Sequence, residues 1–127
     1  MIARLALAAA LAAPGVRRDR AYGKGEDCWF FDQGLRVTLV DECVTEASVC
    51  PPGDVRFAGK SLFRSRSQWK ELVALDDHPM ESVGFVILNA IGVAFTGLHD
   101  RDRSQFAVTV FAPGSWDIDE DTAPFEL

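Results

Sequence analysis

Two imidazoles carry carboxylates beside them: His78 follows Asp76 and Asp77, and His99 precedes Asp100 and Asp102. A histidine oriented by an acid is the unit that shuttles protons in general acid–base hydrolysis. His78 or His99 with neighbouring carboxylates therefore defines one function class, a small hydrolase, whose strongest form needs both segments to meet. Ser67 and Lys70 add the Ser-x-x-Lys spacing, in which a lysine one helical turn on takes the proton of a nucleophilic serine. The companion Ser-Asp-Asn and Lys-Thr-Gly motifs are absent. A serine near a helix start followed by a solvent-facing lysine accounts for the pair, so no catalytic residue is assigned.

Asp117, Asp119 and Asp121 fall on every second residue, the spacing that opens an EF-hand loop. The sixth position of such a loop is Thr122 rather than Gly, and the twelfth lies beyond Leu127. That loop cannot close, and no metal site is expected. Cys28, Cys43 and Cys50 form no Cys-x-x-Cys pair and have no histidine close by, which also argues against zinc. In an oxidising compartment one pair should bridge and one thiol remain. Loop entropy separates the pairings by only about 1 kcal/mol, and proximity favours a Cys43–Cys50 disulfide. In a reducing compartment all three are small apolar residues. Without a phosphate loop, nucleophile elbow or dinucleotide fingerprint, no cofactor is expected.

Charge narrows the partners. The formal net charge is −6, but the first twenty residues hold Arg4, Arg17, Arg18 and Arg20 against Asp19 alone, leaving nine basic and eighteen acidic residues, a net of −9, for the rest. Such a body repels nucleic acid and anionic membrane surface and suits a basic protein partner. The acids crowd toward the C-terminus beside two aromatics. Trp116, Asp117, Asp119, Glu120, Asp121 and Phe125 are the expected binding residues, aromatics filling pockets and charges steering approach.

The N-terminus reads as an export signal: Arg4 is a minimal positive region, residues 5–13 are apolar, and small residues around Ala13 offer a cleavage site before Pro14. Residues 1–20 are assigned to this signal and 21–127 to one globular domain, with no membrane span in the mature chain. The expected location is secreted or periplasmic; the alternative is a mitochondrial or cytoplasmic protein with an uncleaved N-terminus.

The elements that would position these residues are organised around residues 83–98, VGFVILNAIGVAFTGL, which contain no charge in a chain that is 25% charged. The run falls short of the ~20 residues that cross a bilayer. Gly84, Gly92 and Gly97 would each cost a helix roughly 1 kcal/mol. It is therefore read as two central strands, 83–88 and 93–98, around a turn at 89–92, with both faces covered. Further strands are expected at 28–31 and 35–40 around Asp32-Gln33-Gly34, at 55–58 and at 105–111. Residues 16–27 read as a linker and 41–52 as a polar, cysteine-pinned loop. The one 3.6-period segment, 66–75, opens with a Ser65/Gln68 capping pattern and places Trp69, Leu72 and Val73 on one face. The predicted class is α+β: an antiparallel sheet of five to six strands with one main amphipathic helix packed on it. The predicted function is a small exported non-catalytic binding protein, of inhibitor, immunity-type or accessory-subunit kind.

Overall fold

A computed structural model describes residues 16–20, 24–116 and 121–127. Its strands are β1 (Val16–Asp19), β2 (Glu26–Phe30), β3 (Leu35–Val40), β4 (Cys43–Val49), β5 (Arg56–Phe57), β6 (Lys60–Ser61), β7 (Met80–Ser82), β8 (Phe85–Leu88), β9 (Val93–Thr96), β10 (Ala107–Phe111) and β11 (Ala123–Pro124), with one helix, α1 (Gln68–Val73). Nine strands form one sheet in the order β1-β2-β3-β4-β10-β9-β8-β7-β11, and β5 and β6 form a separate hairpin. Every pairing is antiparallel.

This overturns the expected α+β class. Among the described residues the protein is nearly all sheet, with 12% of the chain helical and no helix of seven residues or more. The periodicity at 66–75 is real, since Trp69, Leu72 and Val73 are all buried. However, α1 has six residues, about 9 Å of helix at 1.5 Å per residue, too short to form a layer over a nine-stranded sheet. Half of the expected capping box forms: the Ser65 hydroxyl accepts the Gln68 N–H at 3.1 Å, while the Gln68 side chain turns away and donates to the Phe57 carbonyl at 2.9 Å. Asp76 ends the helix by turning inward, as described below.

Five strands lie where none was expected, the two-residue β6 and β11 among them. Val16–Asp19, assigned to the signal and linker, is β1 and pairs with β2. The apolar stretch 5–13 lies outside the described residues. Residues 43–49, read as loop, are β4, in which Ala47 and Val49 are buried while Glu46 and Ser48 alternate to the other side. Met80–Ser82 is β7, at the far side of β8. The hairpin β3–β4 went unrecognised because its two-residue turn is Asp41-Glu42, with φ of 51° and 62°. That is the φ signature of a type I′ turn, usually announced by Asn-Gly or Asp-Gly.

The 83–98 run is a hairpin, with Leu88 opposite Val93 and Phe85 opposite Thr96. It is not the sheet's centre, which is β10, bonded to β4 on one side and β9 on the other. Gly92 takes φ of 76°, and a Cβ there would stand 2.2 Å from the Phe111 carbonyl oxygen, so the turn admits no side chain. One face of the sheet carries the main core, with Phe30, Leu35, Val37, Val49, Val86 and Phe95 packed with Leu62, Trp69 and Leu72 from the stretch between β4 and β7. The other face carries a small cluster of Ile87, Ala94 and Phe111, with Met80 and Trp116 against it.

Val83, expected to begin a strand, instead occupies the β7–β8 turn at φ of 49° and is 90% exposed. A β-branched residue in the left-handed region is strained, and its side chain buries nothing. Val83→Asn should therefore stabilise the protein by about 1 kcal/mol, read as a raised midpoint in urea with an unchanged slope. A lowered midpoint would mean that Val83 makes a contact its exposure does not show.

Candidate binding site

Asn89 holds the C-terminal segment in place. Its side-chain amide donates to the Trp116 carbonyl at 3.1 Å, its carbonyl oxygen accepts the Trp116 N–H at 3.3 Å, and its backbone carbonyl accepts the Gly114 N–H at 2.7 Å. So fixed, the Trp116 ring stacks on Phe111, centroids 4.5 Å apart and 14° from coplanar, and meets Phe85 edge-on at 5.9 Å. Phe125 is tied in similarly. Its N–H donates to the Pro79 carbonyl at 2.8 Å next to the β11–β7 pairing, and its ring meets Trp69 and His99 edge-on at 6.3 and 5.7 Å. Both aromatics expected to fill pockets on a partner are thus turned onto their own fold. Asp121 is exposed. Asp117, Asp119 and Glu120 lie outside the described residues.

The histidines do not form one site. His78 is exposed on the turn after α1, where its N–H is accepted by Asp76 at 2.8 Å. The second oxygen of Asp76 accepts the Ala90 N–H at 2.9 Å, and the carboxylate is only 6% exposed. Asp76 is therefore a cross-link between the helix end and the 89–92 turn, not a proton carrier beside His78. His99 sits edge-on to Trp69, Phe95 and Phe125, with Nδ1 buried and unpartnered among the described residues. The cleft it lines is completed by Glu81, Phe85 and Asp121 rather than by His78. The Lys70 ammonium lies 5.7 Å from the Trp69 ring centroid, a cation–π contact that explains the lysine without catalysis. Among the described residues no group of three His, Cys, Asp or Glu side chains is placed to hold a metal ion.

The cysteines are all free. Cys43 begins β4 and Cys50 follows its end, so an extended strand holds them about 23 Å apart at 3.3 Å per residue. A disulfide needs Cα atoms within about 7 Å, and the expected Cys43–Cys50 bridge is excluded while β4 is formed. Cys28 faces Val37, which faces Ala47. It is two strands away from both other thiols and offset along them.

The arrangement sequence reasoning missed lies on the second face of the sheet. Arg36 reaches Glu46 at 2.9 Å and Asp27 at 3.3 Å, and Thr38, fully buried, donates to Asp27 at 2.7 Å. Arg20 joins the same Asp27 at 3.8 Å. Beside this network runs a groove of about 440 Å³, with Arg20, Arg36 and Glu46 on one side, Phe85 and Trp116 on the other, and the Thr109 and Ser115 hydroxyls between them. Its volume falls in the range of small-molecule and side-chain sites, ~300–1,000 Å³. Paired charges, hydroxyls and an aromatic wall recognise a polar group; with each carboxylate already bonded, none is poised as a base. The alternation Arg36-Val37-Thr38 against Glu46-Ala47-Ser48 is the sequence signal, legible only once β3 and β4 are known to pair.

Trp116 tests the site directly. Because it caps Phe111 and Phe85, Trp116→Ala should cost about 2–3 kcal/mol, less than the ~3–5 kcal/mol of truncating a fully buried Trp because the ring is half-buried, and lower Tm by roughly 10 °C. An unchanged Tm would mean that the ring is available to a partner. Comparison with protein-family models, curated proteins and solved structures finds no match to this chain, so its fold and sites stand on its own residues.

Proposed function

We propose that the protein is a small exported binding module, without catalytic activity of its own, that meets a basic protein partner along its acidic C-terminal segment. The observation that carries this reading is that the segment is fastened at both ends. Trp116 is bracketed by Asn89, and Phe125 is bonded to Pro79. Asp117, Asp119, Glu120 and Asp121 lie between those anchors in sequence. Holding both ends of a docking segment to the fold lowers the ordering entropy paid on association. The anchoring aromatics serve the presenting fold, and the acids supply attraction and steering. The hydrolase alternative has less behind it, since His78 is on an exposed turn, His99 is among aromatic rings, and Asp76 is committed to two backbone N–H groups.

Two measurements test the reading. Replacing Asp117, Asp119 and Asp121 by Asn and Glu120 by Gln should slow association with the captured partner by about tenfold at low salt, with little change in dissociation, and the difference should shrink as salt is raised. Unchanged association would refute the docking role. For export, intact mass of the protein from its native source should show a start near Ala13 or Pro14, which leaves β1 whole, and three alkylatable thiols, Cys43 and Cys50 reacting before the less exposed Cys28. A chain still carrying Met1 would exclude cleavage. A mass two hydrogens light would show that β4 opens to bring cysteines together.

A further inference from the structure

A cleft of about 530 Å³ lies apart from the C-terminal segment, between residues 51–54, 63–64, 103 and 106. Pro51 and Pro52 form one wall, Phe63 and Phe106 the apolar floor, and Arg64 and Arg103 the rim. The two floor rings stack with centroids 5.7 Å apart, 13° from coplanar. The loops that supply the arginines are fixed to each other, because Arg101 donates from Nη1 to the Ser65 carbonyl at 3.4 Å and places its guanidinium 5.7 Å from the centroid of the Phe106 ring.

The acids nearby are spent within their own loops. Asp102 accepts from the Ser104 N–H at 3.1 Å and from its hydroxyl at 2.6 Å. Asp54, which also lines the cleft, accepts from the Ser61 hydroxyl and pairs with Arg56 at 3.5 Å. The Ser61 hydrogen bond, with help from Arg56, holds its carboxyl below the usual carboxylate range, so it stays ionised. Arg64 and Arg103 make no ion pair or hydrogen bond through their guanidinium groups among the described residues.

We propose that this cleft binds a small organic anion: an oxyanion head, carboxylate or phosphate, taken by Arg64 and Arg103, on a flat apolar body that lies against Phe106, Phe63 and the two prolines. Guanidinium groups match planar oxyanions in forked hydrogen bonds, and stacked rings accept a flat apolar surface. Ionised Asp54 repels the head and confines it to the arginine side. The site is independent of the C-terminal segment, so it can fail or stand regardless of that reading.

The test is a titration of the full chain followed by amide NMR, with phenyl phosphate, benzoate and inorganic phosphate as probes. Phenyl phosphate and benzoate should shift the Arg64, Arg103 and Phe106 amides saturably, with inorganic phosphate binding at least about tenfold more weakly. Arg64→Gln and Arg103→Gln should each weaken phenyl phosphate by about tenfold, the double variant should abolish saturation, and Arg66→Gln, outside the cleft, should change nothing. Comparable affinity for inorganic and phenyl phosphate overturns the apolar body. No saturation with any probe, or saturation retained in the double variant, overturns the site; the first of these needs no variant to fold.

Discussion

The ladder between β4 and β10 holds the molecule together. Strands β1 to β4 are successive hairpins, as are β7 to β10, and the described pairing that joins the two sets is Val49 with Val108 through Glu46 with Phe111. Apart, each half would present an apolar face with nothing to close it. Joined, they set Leu35, Val37 and Val49 beside Val108, Phe95 and Val86, and the connection between the halves lays Leu62, Trp69 and Leu72 on that common face. The seam also joins Ser48 to Thr109 through a hydroxyl bond at 3.0 Å across 61 residues. Contacts of that separation make folding slow, because loop closure must precede reward.

A sheet with one buried face must still settle the other, and among the described residues there is no second layer to do it. The two halves do so differently. On β2, β3 and β4 the second face is polar, and Asp27, Arg36, Thr38 and Glu46 satisfy one another. A half-buried charge network is tolerated when every member is bonded and costly when one is removed. On β8, β9 and β10 the second face is apolar, and Trp116 covers it. The groove lies where the two solutions meet, since neither a charged network nor an indole ring can extend over the other.

Hydrophobic period and glycine made part of this legible. The hairpin β2–β3 follows from alternation around the turn at Gly34, β8–β9 follows from an uncharged strand-favouring run broken at Gly92, and the apolar face of α1 follows from its spacing. What stayed hidden was decided by partners distant in sequence. β4 reads as loop because its outward residues Glu46 and Ser48 answer Arg36 and Thr109, and because Asp41-Glu42 takes positive φ without a glycine. The helix is short because Asp76 is drawn inward to an amide fourteen residues away, which no local rule about helix ends contains. Three nearby cysteines resemble a disulfide set until an extended strand is known to separate two of them.

Charge shows the same limit from another side. A net of −6 describes the potential felt at a distance, and on that scale the protein should attract cations and repel polyanions. Screening confines that influence to about 8–10 Å at physiological salt, and inside that range what matters is which charges are already bonded. Asp27, Glu46, Asp54, Asp76 and Asp102 all face hydrogen-bond donors within the fold. Arg64 and Arg103 face a cleft. An acidic protein can therefore present an accessible cationic site, because folding has consumed carboxylates and left guanidinium groups over. The sign of a small-ligand site follows from the remainder after internal pairing, while the net charge sets only the field felt at longer range.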